Sequence, residues 1–241
     1  MVGTIIATAI FGAAAAGTFA FTATAFAINL VASTIISKAF APTVDNQTIN
    51  TSNPGNTQQV PPATDNKLPI VYGTGYVGGT VVDLSITSNN QVIYYVLALS
   101  ECTGTTDTFT FGDVYFGGKK CIFDGTNQYV VTGLLDESTG AVDTTVNGLL
   151  NIYLYPKGSY SIGNCNTDAI GIMQNANLIY QWDSTKLMSN CAFAILQMTY
   201  NQDAGLTGLQ QTKFQLTNSR TAPGDCFLDY LTSTTYGAAI P

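Results

Sequence analysis

From Leu68 onward, short runs of Val, Ile, Tyr, Phe and Thr alternate with clusters of Gly, Asn and Asp. β-branched and aromatic side chains suit a pleated, half-buried surface, and the small polar clusters supply the turns that reverse it. The pattern predicts strands over 68–72, 80–86, 91–99, 109–116, 128–132, 149–155, 191–200 and 213–216. Asn89-Asn90, Gly117-Gly118, Asp124-Gly125 and Pro156-Lys157-Gly158 are the predicted turns. Helical spacing is confined to 169–180 and to a short stretch near 224–231 that follows Pro223. The expected fold class is mainly β, as antiparallel sheets or a barrel-like arrangement, with a few short helices.

The first part of the chain has a different character. Met1 to Ser37 contain no Asp, Glu, Lys or Arg, and the first charge is Lys38. Ile5, Ile6, Ile10, Phe11, Phe19, Phe26, Leu30 and Ile35 stand among Ala, Gly and Thr and are the candidate contacts with a membrane or a bundle. The run exceeds the roughly 20 apolar residues that span a bilayer as a helix, so it must be hidden from water. Three readings compete. Ala25-Phe26-Ala27 matches a signal-peptide cleavage pattern, but a basic leading region is missing and the apolar run continues beyond it. A bilayer span has the length, with Lys38 alone to orient it. The favoured reading is a helical segment buried against other copies or neighbouring subunits, with Gly12, Ala16 and Gly17 permitting close approach. Between 42 and 67, Pro42, Pro54, Pro61 and Pro62 stand among Asn, Gln and Thr, the composition of a linker or extended arm. The chain thus divides into an apolar helical segment (1–41), an arm (42–67) and a β-rich body (68–241).

Composition narrows the chemistry. Only 10% of residues are charged, against roughly 25% in an average soluble domain, while 46% are hydrophobic. Such a surface suits burial in an assembly. The net charge is −7 and the eight Lys and Arg are scattered, which argues against tight nucleic-acid binding, since phosphate neutralisation needs gathered cations. DNA is compatible only as passing cargo in an acidic lumen. Histidine is absent, which removes Ser-His-Asp and Cys-His nucleophile systems and His-ligated zinc. Five cysteines without a C-x-x-C pair read as reduced thiols. Gly73-Thr-Gly75-Tyr-Val-Gly78 matches the dinucleotide fingerprint in letters, but a helix should follow, and Thr80-Val-Val-Asp-Leu84 continues as strand. A glycine-rich bend between two strands is the expectation there. Glu101, Asp107, Asp136, Glu137, Asp183 and Asp203 show no spacing that selects an acid/base pair. No catalytic, cofactor or metal residue is assigned, and an enzyme is not expected.

Five segments in order carry a resemblance. Leu68-Pro-Ile-Val-Tyr-Gly73 with Val77-Gly-Gly79, Tyr94 to Glu101, Asp113-Val-Tyr-Phe-Gly-Gly-Lys119, Cys191 to Asp203, and Asp225 to Gly237 together resemble the hub region of the tip attachment, or host-specificity, proteins of lambda-like long-tailed phages. The residues that carry it are Tyr72, Gly73, Gly78, Gly79, Tyr115, Gly117, Gly118, Tyr200, Asp229, Tyr230, Tyr236 and Gly237. The resemblance implies a homotrimeric β-rich hub at the tail tip, assembled in the host cytoplasm and closing the tail tube before infection. The implied partners are other tail-tip proteins, the tail tube and the tape-measure protein. A further hypothesis, beside the favoured burial, is that the trigger at infection frees residues 1–40 to reach the host membrane. The competing expectation is an exported or membrane-tethered β-rich surface module, with the same forty residues as signal or anchor.

Overall fold

The computed structural model describes residues 68–101, 108–160 and 162–240. The expectations for the apolar segment, for the arm and for Asp107 therefore fall outside the described residues. Ten strands and two helices are described: β1 Thr74–Val77, β2 Thr80–Ile86, β3 Val92–Glu101, β4 Phe109–Phe116, β5 Lys119–Phe123, β6 Val131–Leu135, β7 Val142–Asp143, β8 Leu150–Tyr155, α1 Ala169–Asn175, β9 Cys191–Thr199, β10 Thr212–Asn218 and α2 Pro223–Thr232.

The strands form two antiparallel sheets, ordered β1-β10-β4-β5-β6-β7 and β2-β3-β9-β8. The expected mainly β fold is what forms, as open sheets that meet along one side through Val130 opposite Asn151. Between the sheets, Ile93, Tyr95, Leu97 and Leu99 of β3 and Leu196 and Met198 of β9 pack with Val114, Phe116, Phe214 and Leu216 of the six-stranded sheet. The intervening residues of the same two strands, including Tyr94, Val96, Phe193 and Ile195, pack on the opposite face with Tyr153 and Tyr155 under α1 and Trp182. The four-stranded sheet is thus a middle layer, which is why β3 and β9 read as nearly continuous apolar runs instead of alternating.

Several boundaries differ from expectation for identifiable reasons. Leu68 to Tyr72 is not a strand. Pro69 has no N–H to give a ladder, and the segment is stitched in by side chains instead. The Val71 N–H donates to Ser100 Oγ at 3.2 Å, and its carbonyl accepts from Asn218 Nδ2 at 2.9 Å. The strand falls on Thr74–Val77, where a bend was expected. Gly73 (φ 62°) and Gly79 (φ 80°) turn the chain on either side of it, so the fingerprint-like stretch is two bends enclosing a strand. A Cβ on Gly79 would press on Leu99 and Leu97, a close approach that favours glycine.

The strand expected over 128–132 begins instead at Val131. Asp124 Oδ1 accepts from the N–H groups of Thr126 (2.9 Å) and Asn127 (2.6 Å), an Asx turn that prolongs the loop. β5 and β7 were not anticipated, because Lys119-Lys120 opens one and the other has two residues. The Gly117-Gly118 turn joins β4 to β5 with both φ angles positive. α1 stops at Asn175, short of Tyr180, because the following residues pair with the end of β2: the Ser88 N–H donates to the Asn177 carbonyl and the Ile179 N–H to that of Ile86.

Phe214 is fully buried between the sheets, whereas Val82 sits at a bulge of β2 and faces solvent. Phe214→Ala is expected to lower the unfolding free energy by about 3–5 kcal/mol, and Val82→Ala by less than about 0.5 kcal/mol. Urea unfolding followed by circular dichroism checks both.

Candidate functional site

α2 starts where Pro223 presets the first turn and Asp225 faces the positive end of the helix dipole. Its inward side is polar. Tyr72 Oη donates to Asp229 Oδ2 at 2.6 Å, across 157 residues of sequence, and Tyr236 Oη donates to the same oxygen at 2.7 Å. Arg220 Nη1 lies 3.5 Å from Asp229 Oδ1 and also donates to the Asp225 carbonyl at 3.3 Å. Asp229 is 13% exposed, so its charge is answered by two phenols and one guanidinium. The chain beyond α2 folds back over it. The Ala238 N–H donates to the Tyr230 carbonyl at 2.9 Å, and Gly237 passes so close to that carbonyl that no Cβ would fit.

This clasp joins the first and last of the five resemblance segments. Tyr72 comes from the start of the body, and Asp229, Tyr236 and Gly237 from its end. Arg220, which sequence reasoning missed, completes it; a lone cation shortly before a helix-starting proline was the signal available. Burial, then the hydrogen bond to Asp229 and its charge, push the Tyr72 phenol well above its ordinary value. Tyr236 is pushed up to about 12 by burial and then by the hydrogen bond to Asp229, with a hydrogen bond to Ser233 acting against them. Both phenols hold their protons near neutral pH and act as donors. The arrangement can fasten a helix to the body through one carboxylate.

The outward side of α2 is apolar. Phe227 is 63% exposed, Leu228 60% and Tyr230 49%, and no residue of the helix is buried. A helix on a soluble domain ordinarily turns its apolar stripe inward and its charges outward. α2 turns Phe227 and Leu228 outward and one of its two carboxylates, Asp229, inward, while Asp225 stays exposed.

Gly73 adjoins the clasp, its N–H donating to the Arg220 carbonyl at 2.9 Å, and Tyr230 is on α2, whereas Tyr115, Gly117, Gly118, Gly78 and Tyr200 lie apart from it. Tyr115 on β4 meets Tyr76 edge-on with ring centres 6.1 Å apart and donates to Glu137 Oε2 at 3.1 Å. Gly117 and Gly118 form the adjacent turn, Gly78 gives its carbonyl to Thr212 Oγ1 at 3.0 Å, and Tyr200 packs on the edge of the inter-sheet core. β4 and β5 pair only beside that turn and then diverge. The resulting cleft, about 570 Å³, is lined by Phe109, Phe111, Phe123, Leu154 and Ile162 among others. At its far wall the Asn164 carboxamide takes the place of a neighbouring strand, accepting from the Leu154 N–H and donating to the Ile152 carbonyl, both at 2.9 Å.

Among the described residues no group of His, Cys, Asp and Glu is arranged to hold a metal ion, and no helix is long and apolar enough to cross a membrane. Cys121, Cys165, Cys191 and Cys226 are not in disulfides, and Cys102 lies outside the described residues. Burial pushes the Cys121 thiol up to about 12.

No protein-family model matches the chain, and no curated protein matches it. Among solved structures, a chain of the virion of a native gene transfer agent particle aligns with a TM-score of 0.38 and 13% identity. The alignment covers 75% of this chain and 31% of that one, so this chain spans about a third of the solved chain's length.

Two predictions test the clasp. Asp229→Ala removes the acceptor of two charge-assisted hydrogen bonds and is expected to cost about 2–3 kcal/mol of local stability. Hydrogen exchange should then quicken in 223–240 and stay unchanged in β3 and β9. A raised phenol pKa means that the folded state keeps protons the unfolded chain has lost. The clasp's contribution should therefore be fully present below about pH 10 and vanish as pH rises through 12, read as accelerated exchange of α2 together with tyrosinate absorbance. Cys226, half-buried beside the clasp, should be the first of the four described thiols to be alkylated at pH 8, with Cys121 inert.

Proposed function

We propose that the chain is a structural protein of a virion and that residues 68–241 form the hub of a phage tail tip, closing the distal end of the tail tube until DNA passes. The observation that carries this reading is the clasp. Segments singled out by resemblance at opposite ends of the body bond to each other through Tyr72, Asp229 and Tyr236, as parts of one structural unit would.

The surface supports the same role. Val82 and Leu84 on β2 and Val142 on β7 are exposed apolar side chains on strands at sheet edges. Open edges invite further pairing, and closed symmetry both uses and protects them. Three copies around the tail axis, contacting other tip proteins, the tube and the tape-measure protein, are the proposed arrangement. A net charge of −7 suits a passage through which DNA slides without adsorbing.

Imaging of particles that carry the chain decides the matter. The expected result is three copies in a ring at the tail tip with the N-terminus intact. Recovery of the chain from cells as an exported monomer cleaved after Ala27 would overturn the hub and favour a surface module.

A further inference from the structure

β4 and β5 are neighbours in the six-stranded sheet, yet they pair only where Tyr115 and Phe116 stand opposite Lys120 and Lys119, and then they part. The alternation of an antiparallel ladder fixes which way the separated edges point. The Thr108 carbonyl accepts from the Ser219 N–H at 3.0 Å, and Asn218, opposite Phe109, gives its N–H to the Gly73 carbonyl on the far side of β10. Thr108 and Thr110 thus turn their peptide groups to β10, and Phe109 and Phe111 turn theirs into the cleft. On the other wall the Asp124 N–H donates to the Val130 carbonyl at 2.9 Å and the Ile122 carbonyl accepts from Thr132 Oγ1 at 3.2 Å, both on the β6 side. Phe123, between them, points its N–H and carbonyl back at β4. Among the described residues no ladder bond crosses the gap at Phe109, Phe111 or Phe123.

We infer that this cleft receives an extended, uncharged segment of another polypeptide, which adds a strand between β4 and β5. The backbone selects a strand over a compact ligand. Two facing edges present N–H and carbonyl groups at the strand repeat, and an inserted chain answers both, whereas a small apolar molecule would leave them unmet. Since β4 and β5 are antiparallel, the insert runs parallel to one and antiparallel to the other. The side chains select its composition. Leu154, Pro156 and Ile162 supply an apolar floor, and the volume of about 570 Å³ lies within the roughly 300–1,000 Å³ of clefts that bury a ligand. Asp124 is the one charged residue of the lining, and its Oδ1 is already held by the N–H groups of Thr126 and Asn127. A charged side chain would therefore enter without a partner. The edge of β8 behind the cleft offers no rival register, because the Asn164 carboxamide occupies Leu154 and Ile152 there. The inference stands apart from the hub reading: it concerns a site within the body, whatever assembly the body joins.

The full chain is titrated with a pool of capped hexapeptides that carry Thr at odd positions and Val, Leu or Phe at even ones, and with the same pool N-methylated at alternate residues. Binding and residue-level amide exchange are read by NMR. The unmethylated pool is expected to slow exchange of the Phe109, Phe111 and Phe123 amides at least tenfold and to leave Thr110, already bonded to β10, unchanged. The methylated pool, which lacks half of the ladder donors, should bind at least tenfold more weakly. Ile162→Arg, at an exposed position of the wall, should weaken binding to the same degree with exchange in β3 and β9 unaltered. Equal binding of the two pools would overturn the inference and leave an apolar pocket only. No binding at millimolar peptide, or slow exchange of the three Phe amides in the free chain, equally overturns it.

Discussion

Everything described in the body hangs on β3 and β9 being buried on both faces. Their pairing runs from Val92 opposite Thr199 to Glu101 opposite Cys191, and nearly every residue between is sealed from water. A strand in that position must satisfy two packing surfaces with one sequence, so odd and even residues are both apolar. The inter-sheet core takes Leu97 and Leu196, and the layer under α1 takes Val96 and Ile195. A slip of one residue would exchange these sets between cores of different shape. The bulge at Leu99 adjusts the fit locally: Ala98 stands opposite Phe193 and Ser100 opposite Ala192, so that Leu99 enters the inter-sheet core and Ser100 turns its hydroxyl to the Val71 N–H. Through that bond the middle layer fixes where the chain enters the body, and with it the position of Tyr72.

What was legible in the sequence follows from this layering. The strands buried on both faces announce themselves as long runs of Val, Ile, Leu and Ala, and β2 and β4 carry enough β-branched and aromatic residues to be read with the same bounds as observed. β5 and β7 were illegible because short strands near a sheet edge, holding Lys119-Lys120 or two residues in all, show no period. Leu68 to Tyr72 misled because apolar composition suggested a ladder that Pro69 cannot support. α2 was visible from Pro223, but its orientation was not. Nothing in the spacing of Asp229 reveals that its partners are a tyrosine 157 residues away and an arginine nine positions back. Tyr72, Asp229 and Tyr236 entered through resemblance as separate motif members, and the fold turns them into one contact.

The inverted helix raises the question of which force decides where α2 sits. Its anchor consists of hydrogen bonds to a carboxylate, about 1.5–3 kcal/mol each when well shielded, reduced here because Tyr72 and Tyr236 are only part-buried. On the other side, full burial of a Phe or Leu contributes about 1.5–3 kcal/mol, and Phe227 and Leu228 retain more than half of their surface in water. The two sides are therefore of similar size. An uncovered α2 is held by polar bonds alone, against a steady cost for the apolar face.

Equality of that kind makes the helix a balanced element and not a fixed one. Were the apolar side turned inward, burial would lock α2 to the body and no surface event could shift it. With the polar side inward, α2 is held by bonds whose phenol, carboxylate and guanidinium groups regain hydration when released, which offsets part of their strength. Loss of the clasp then loosens the hold of the helix on the body. The low charge of the chain works in the same direction: among the described residues few ion pairs fasten the surface.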